Sequence, residues 1–276
     1  MEMVNQTTNE ILTKYGLPHF DIPPQNNHII NEKFFENAKL AGNHIPDLQE
    51  NRLTDKSVLS FFMETVFHEN IHFKSYQDWQ ILKNEQNESQ LSRMGFMLIT
   101  RDEGKILFRN LNEAVTEAMT KKYAPKLFSH PLFEKEQKET QKAIADWPAE
   151  SFGSLPEDIY YLHKKINLYN LKQILLRKPA RAYSIQKFSY PEERKTLGIL
   201  IAKLFIKNPG KFKDEDEIME MFEKAMLTGN INSVGKLIDK TFPKKNPEDP
   251  EEKGTFRQIG ELGEDTKGLA EFVDSL

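Results

Sequence analysis

The chain has 276 residues, a formal net charge of -4 and no cysteine. This length suits one large domain or two small ones. The mildly acidic charge argues against a nucleic-acid partner, because no basic excess is present to neutralise phosphates. The lack of cysteine excludes disulfides, thiolate metal sites and a cysteine nucleophile, so any transition metal must be held by His, Asp or Glu.

The N-terminal sequence "MEMVNQTTNEILTKYG" has neither the basic start nor the apolar run of a secretory signal. No apolar stretch reaches the roughly 18 residues that a membrane-spanning helix needs. We therefore expect a cytoplasmic protein without a membrane partner, while export by a route that uses no signal stays open.

Residues 1–50 form a first, mixed segment that the pair Pro23 and Pro24 interrupts. Within it, "NEKFFENAKLA" predicts a short helix, and "NHIPDL" predicts an edge strand or a loop. The following "KSVLSFFMETVFHENIHFKSYQDWQILK" runs without Pro or Gly and has apolar residues near helical spacing. It predicts one long, largely buried helix that Thr54 or Asp55 caps.

Two apolar runs flank "RDEG" in the stretch "RMGFMLITRDEGKILFRNL", which predicts a β-hairpin with Gly104 in its turn. "NLNEAVTEAMTKKYA" then predicts a helix with Asn110 or Asn112 as its cap and Pro125 as its end. Residues 126–243 have mainly helical patterns. The clearest predicted helices there are "DIYYLHKKINLYNLKQILL", "PEERKTLGILIAKLFIK", "DEDEIMEMFEKAML" and "INSVGKLIDKTF".

The chain ends in a polar, proline-bearing tail, residues 244–276, whose composition is typical of disorder. A small helix is expected at its end, around "GLAEFVDSL". The sequence thus predicts an α+β, predominantly helical protein in four segments. They are an N-terminal segment (1–50), a core (51–125), a helical C-terminal subdomain (126–243) and the tail (244–276).

The motif "HENIH" carries the clearest chemistry in the sequence. On a helix, His68 and His72 lie on one face, so both imidazoles can bind one metal ion. Glu69 lies one residue round the helix and can take a proton from an activated water. The competing interpretation is two surface histidines and a solvated glutamate. The neighbouring Phe67 and Ile71 indicate a buried helix instead, in which such a cluster needs polar partners or an ion.

A catalytic zinc ion usually has three protein ligands, and "LNEAVTEAM" offers the third. Glu113 and Glu117 are four residues apart on a second predicted helix and share a face. Glu113 can bind the metal, while Glu117 can accept the outer N–H of a ligand histidine. The alternative is an acidic face exposed to solvent, against which the largely apolar composition of this helix argues.

The pair "HENIH" and "NEAVTEA" resembles the gluzincin zinc metallopeptidases, in which a helix with H-E-x-x-H precedes one with N-E-A-x-[ST]-[DE]. The resemblance covers residues 54–125 and implies a zincin-like fold with its active-site helix under a small sheet. It implies zinc ligands His68, His72 and Glu113, a general base Glu69 and a supporting Glu117. The longer stretch between the motifs departs from thermolysin and resembles small gluzincin-like bacterial proteins instead.

Peptide hydrolysis also needs a group that stabilises the oxyanion. Four candidates lie in the C-terminal half, and each is also interpretable as a half-buried core side chain: Tyr160, Tyr161, His163 and Tyr190. We prefer Tyr190, because "SYPEERKTLGIL" is similar to a later segment of that family. His130, which precedes a proline, is interpreted as a loop histidine.

We therefore predict a zinc-dependent metallopeptidase that acts on a peptide or protein substrate, with its oligomeric state open. The alternative is a non-catalytic zinc-binding or interaction protein that retains the same ligands. A di-iron carboxylate protein would need a second Glu-x-x-His on another helix, and none occurs. The hairpin within residues 94–109 is the predicted edge strand for an extended peptide.

Overall fold

The computed structural model of the protein describes residues 1–30, 41–54, 58–81, 89–101, 103–149, 154–164, 183–244, 246, 248–249 and 251–276. This part of the chain is a mixed α+β structure in which helices predominate, as the sequence predicted. The helices of this part are α1 (Glu2–Lys14), α2 (Leu59–Lys74), α3 (Arg109–Phe128), α4 (Glu134–Ala145), α5 (Pro191–Lys207), α6 (Glu215–Thr228), α7 (Ile231–Thr241), α8 (Thr255–Glu261) and α9 (Thr266–Ser275).

The strands of the described residues form three small sheets. The first contains β1 (Asn27–Ile30), β2 (Gly42–Ile45) and β3 (Glu50–Thr54), with β3 in the centre, parallel to β1 and antiparallel to β2. The second is the antiparallel series β4 (Gln77–Ile81), β5 (Ser89–Met94), β6 (Met97–Ile99) and β7 (Ile106–Leu107). The third pairs β8 (Ile159–Lys164) with β9 (Tyr183–Lys187).

One large apolar core joins residues from all four predicted segments, for example Val4, Phe67, Leu204 and Val273. Helices α2 and α3 pack against each other in its middle, and the first sheet lies over α2. Because α2 is covered on several sides, even its polar residues from Glu64 onward are mostly buried. This burial forces any charged group on the helix to find a partner inside the protein.

Several predicted elements are confirmed. The predicted hairpin is present as β6 and β7, and Gly104 in its turn has a φ of 61°, where glycine carries no steric cost. "NHIPDL" is β2 followed by a short 3₁₀ turn, and α5, α6 and α7 match their predicted helices. The predicted helix over "NEKFFENAKLA" falls almost wholly on residues 31–40, outside the described part of the chain.

Two predicted helices are wrong in part. The long helix ends at Lys74, and its last predicted stretch is β4, whose backbone pairs with β5. The helix predicted over "DIYYLHKKINLYNLKQILL" is wrong at its start, which is the strand β8 paired with β9. The rest of that predicted helix, from residue 165 onward, lies outside the described residues. Both β4 and β8 contain aromatic and β-branched residues that pack well on a pleated surface. Helical spacing alone does not distinguish such short apolar runs from strands.

The predicted helix ends differ as well. Thr54 belongs to β3, and Asp55 lies outside the described residues. Instead, the backbone N–H groups of Leu59 and Ser60, at the start of α2, donate hydrogen bonds to the carboxylate of Glu136, at 2.8 Å each. Asn110 and Asn112 lie inside α3, which follows a left-handed Phe108. Pro125 also lies inside α3, where its missing N–H affects only the last turn.

The tail contains two helices, α8 and α9, whose residues Ile259, Leu269 and Val273 belong to the main core. The sequence predicted only the second of them, because the polar residues around Pro247 and Pro250 dominate the composition of the segment. Within the described residues, no helix combines the length and the apolar composition that crossing a membrane requires.

Candidate metal centre

Helix α2 holds His68 and His72 side by side in the protein interior. Both residues are buried, and their ring centroids are 4.8 Å apart. The two Nε2 atoms approach to 3.1 Å, as expected for side chains one helical turn apart on one face. The helix therefore directs two nitrogen ligands at one point.

Helix α3 brings Glu113 to the same point. Its Oε2 lies 3.3 Å from Nε2 of His72 and 3.4 Å from Nε2 of His68. A tetrahedral zinc ion with bonds of about 2.0–2.1 Å separates its ligand atoms by about 3.3–3.4 Å. The three ligand-type atoms thus form a triangle of nearly the size that one such ion requires. They are the trio that the sequence predicted as metal ligands.

Glu117 lies one turn further along α3 and is fully buried. Its Oε2 is 2.7 Å from Nδ1 of His68, and its Oε1 accepts the backbone N–H of Ser189. A proton on Nδ1 of His68 leaves its Nε2 lone pair free to face His72 and Glu113. The carboxylate therefore fixes the tautomer that a metal ligand needs.

Asn112 and Thr116 lie on the buried face of α3. Asn112 was predicted only as a possible helix cap, and Thr116 had no predicted role. Thr116 Oγ1 lies 3.5 Å from Nδ1 of His72, and Asn112 Nδ2 lies 3.4 Å from the same atom. Asn112 Oδ1 accepts the backbone N–H of Phe96 at 2.9 Å. The signal was present in "NEAVTE", where these residues share a helical face with the two glutamates.

Gly95 explains how the β5–β6 turn approaches Asn112 so closely. Its φ is 56°, and a Cβ atom built there would lie 2.5 Å from Oδ1 of Asn112. Only glycine combines this left-handed backbone with this close approach. The turn thereby anchors the side chain that lies against His72.

Glu69 is buried beside the trio, and its carboxylate faces the start of β2. A Cβ atom on Gly42 would lie 2.9 Å from Oε1 of Glu69. Burial raises the pKa of Glu69, and the charge of Glu113 adds to this, while His68 and His72 oppose it. Glu69 therefore lies within reach of the charges of His68, His72 and Glu113 but does not belong to the trio.

Glu64 is a site residue that sequence reasoning missed. It lies one turn before His68 on α2, is 3% exposed, and groups with His68 and Glu117. Burial, followed by the charge of Glu117, raises its pKa well above the ordinary value. The repeat of Glu64, His68 and His72 at intervals of four was a readable signal of a third polar side chain on this face.

The members of the trio shift one another's protonation. Burial opposes the charged form of His68, yet hydrogen bonds to Glu113 and Glu117 raise its pKa well above the ordinary value. Burial likewise opposes ionisation of Glu113, but His72 and His68 outweigh it and lower its pKa. A positive charge at the centre of the trio is therefore favoured, whether a proton or a cation supplies it.

Tyr190 is brought to the centre by the short connection between β9 and α5. Its ring stacks on His68 with centroids 5.9 Å apart and an interplanar angle of 17°. Its φ of 51° is unusual for a large residue and places the side chain just before the first turn of α5. Burial, and then the charge of Glu113, raises the pKa of its hydroxyl, which stays protonated at neutral pH.

A cavity of about 260 Å³ adjoins this arrangement. Its walls combine the α2 face, the start of β2 and the β9–α5 connection. The lining residues are Ala41, Gly42, Phe61, Glu64, Thr65, His68, Glu69, Ser189 and Tyr190. Among its described residues, the predicted 94–109 hairpin contributes none to this lining, and the strand that borders the cavity is β2.

The other predicted candidates are not members of the trio, although burial and then the charges of Glu64 and Glu117 raise the pKa of the Tyr160 hydroxyl. Tyr160 packs between Phe128 and Phe188 in the core. Tyr161 stacks on His163, which pairs with Glu139. His130 caps a 3₁₀ turn by accepting the N–H of Leu132, in agreement with a loop position.

Comparison with known proteins identifies no relative. No family model matches the chain, and no curated protein and no solved structure matches it either.

Proposed function

We propose that the protein is a zinc-dependent metallopeptidase whose ligands are His68, His72 and Glu113. The triangle of ligand atoms, with sides of 3.1, 3.3 and 3.4 Å, is the observation that carries this proposal. Two neutral histidines and one carboxylate are a donor set that catalytic zinc uses. Zinc in such a site would polarise the substrate carbonyl and activate a water molecule.

The charges around the trio support a cation over a structural role. Glu64, Glu69, Glu113 and Glu117 are all largely buried within this small volume. Among the described residues, no lysine or arginine forms an ion pair with any of them. Buried carboxylates that no lysine or arginine compensates are expensive, and a divalent ion would replace the proton that the raised pKa of His68 otherwise favours.

Glu69 is the proposed general base. It would take the proton of the attacking water and deliver it to the leaving amine. Burial raises the pKa of Glu69 above its ordinary value, which suits a group that must both accept and release a proton. Tyr190, whose hydroxyl stays protonated, would donate a hydrogen bond to the oxyanion that forms on the substrate carbonyl.

The substrate would bind as an extended peptide along β2. This strand is an edge of the first sheet in the described part of the chain, and its first residue lines the cavity. Edge strands offer unpaired backbone N–H and C=O groups that an extended peptide can pair with. Gly42 lies against Glu69, so a peptide on β2 would pass the general base.

Zinc analysis and peptide digestion test the proposal together. We expect about one zinc per purified chain and cleavage of a peptide library. Glu69→Gln should keep the zinc and lower the hydrolysis rate by about 10²- to 10⁴-fold, because general base catalysis is lost. Glu220→Gln, on the surface of α6, is the matched control and should cleave at the wild-type rate.

The same measurements separate the alternatives. A zinc-loaded wild-type protein that cleaves no peptide would favour the non-catalytic zinc-binding protein. A wild-type protein without zinc at neutral pH would contradict both functions. A Glu69→Gln variant that retains full hydrolysis would exclude the proposed base.

A further inference from the structure

The inner face of the first sheet carries a network of buried polar side chains that reaches the metal-ligand helix. Asn51 of β3 is its centre: Nδ2 donates to Oδ1 of Asn70 at 2.8 Å and to Oδ1 of Asn27 at 3.0 Å. Asn51 Oδ1 lies 2.8 Å from Nδ1 of His44 on β2. The network thus joins three strands and α2.

The donor and acceptor roles in this network are fixed by its members. Asn51 Oδ1 can only accept, so the His44 proton lies on Nδ1. His44 Nε2 then accepts from Nε2 of Gln77 at 3.2 Å. Burial keeps His44 neutral, in agreement with this assignment. Each of the bonds has a single allowed direction, so the strands have one favoured position relative to the helix.

The network ends beside the catalytic residues of the proposed function. Asn70 directly follows Glu69 on α2, and His44 lies two residues after Gly42 on β2. Gly42 contacts Thr65 and Glu69 so closely that a Cβ atom there would lie 2.7 Å from Cγ2 of Thr65. Strand β2 is therefore held against α2 at two points, one on each side of the general base.

Stability alone does not account for amides at these positions. Asn51 and Asn70 are both 0% exposed, and Nδ2 of Asn70 has no hydrogen-bond partner among the described residues. Apolar residues of similar shape would avoid that unpaired donor, and replacing both partners of a buried hydrogen bond is often nearly neutral. Apolar side chains, however, would not fix the distance and the orientation between the strands and α2 as directional hydrogen bonds do.

We infer that the His44–Asn51–Asn70 network positions β2 so that a bound peptide presents its scissile bond to Glu69. This inference rests on the proposed function. Asn51 and Asn70 are positioning residues: neither lines the described cavity or belongs to the trio, and they act through the backbone of β2. Substitution of either residue should therefore slow the hydrolysis of peptides long enough to pair with β2. Hydrolysis of substrates too short to reach along β2 should be unchanged.

The test compares two substrates in the full-length zinc-loaded protein. One is an extended peptide of about eight residues, and the other is a blocked dipeptide that is too short to span β2. We expect kcat/KM of the long peptide to fall by about tenfold or more in Asn51→Ala and Asn70→Ala, mainly through KM. The short substrate should change by less than about twofold, and zinc content should stay at the wild-type value.

Further variants serve as controls for this test. Asn26→Ala removes an exposed amide that donates to the Gln49 carbonyl near the same sheet, and it should leave the ratio of the two substrates unchanged. The double variant Asn51→Ala/Asn70→Ala should lower kcat/KM of the long peptide no further than either single variant, because both substitutions break the same connection between β3 and α2. Asn70→Ser, which keeps an oxygen acceptor, replaces Asn70→Ala if that variant does not fold.

Three results would overturn the inference. They are an unchanged long-peptide rate in both variants, an equal loss for both substrates, and a loss of zinc in parallel with activity. If the wild type cleaves nothing, the proposed function fails, and amide hydrogen exchange decides the inference separately. Faster exchange confined to residues 42–45 in Asn70→Ala then upholds the positioning of β2, and unchanged exchange overturns it.

Discussion

Two regions of the molecule bury carboxylates, and they compensate the charge in different ways. Glu223 on α6 is 0% exposed, yet its Oε1 accepts from Lys122 at 2.8 Å and its Oε2 accepts from Tyr15 at 2.5 Å. Lys14 lies 3.7 Å away, and Tyr123 adds a further hydroxyl at 3.3 Å. The protein itself thus provides all the partners of this carboxylate.

The centre between α2 and α3 lacks such partners. Its carboxylates face two histidines, and in the described residues neither lysine nor arginine pairs with them. Burial of a charge is tolerated when the fold supplies the opposite charge, and otherwise it points to an external ion. Glu223 therefore joins α1, α3 and α6, whereas under the proposed function a metal ion would compensate the carboxylates of the His–Glu centre.

Removal of a proposed ligand should have the strongest effect and should be specific to one region. We expect His68→Ala and Glu113→Ala to lose the zinc, because only two protein ligands would remain. Glu223→Gln should keep it. Elemental analysis after dialysis checks this, with His130→Ala as a histidine control. If His68→Ala and Glu113→Ala fold and still contain as much zinc as the wild type, the proposed difference between the two regions is wrong.

The converse change concerns the folding stability of the Glu223 cluster. Glu223→Gln removes the charge that Lys122 and Tyr15 bind, and hydrogen bonds to a charged group contribute about 1.5–3 kcal/mol each. We expect the free energy of unfolding to fall by about 3 kcal/mol, with zinc affinity unchanged. Urea unfolding and a chelator titration measure the two quantities. A variant with wild-type stability would show that the cluster is not a structural connection.

Glu117→Gln is expected to have an intermediate effect. It keeps the shape and one acceptor but removes the charge that lies 2.7 Å from Nδ1 of His68. Loss of such an orienting carboxylate typically lowers metal affinity or activity by about 10- to 100-fold. Competition with a chelator measures the affinity, and circular dichroism verifies the helix content. If Glu117→Gln keeps the zinc affinity and the activity of the wild type, Glu117 has only a structural role. The assignment of Glu113 as a metal ligand would then be in doubt as well.

The weakest of these effects is a pH dependence at His44. Burial, together with the charge of His72, lowers its pKa to about 4, against 6.5 for an unperturbed histidine. The unfolded chain therefore binds more protons than the folded protein between these values, and stability falls as the pH decreases. From pH 7 to 6 this amounts to about 0.7 kcal/mol. Urea unfolding at several pH values measures this with zinc-free protein. The free energy of unfolding of the wild type should fall by about 0.7 kcal/mol more than that of His44→Gln from pH 7 to 6. An equal pH dependence in the two proteins would contradict the prediction.

The site could be predicted from the sequence because its members follow helical spacing. His68, His72, Glu113 and Glu117 come from two short motifs, and a helix dictates which of their side chains share a face. The geometry adds that the two helices pack face to face, which periodicity does not specify. Glu64 follows the same spacing, but a carboxylate at i-4 carries no motif by itself.

The parts that could not be predicted depend on partners distant in sequence. Glu136 accepts the first N–H groups of α2 from 76 and 77 residues away, so no local cap residue was needed. β4 and β8 are strands because β5 and β9 pair with them, although both also fit a helical pattern. The role of β2 at the cavity depends in the same way on the packing of the first sheet over α2.

The hydrogen bond between Ser189 and Glu117 has a consequence for the order of events during synthesis. Glu117 orients His68, and Ser189 in turn donates its backbone N–H to Glu117 from 72 residues further along the chain. A ribosome that has produced both motifs has therefore not yet produced the segment that holds Glu117 and carries Tyr190. The nascent chain would therefore contain His68 and His72 well before the segment that orients them through Glu117 is made. Under the proposed function, a peptidase that assembles in this order would not act on its own unfinished chain.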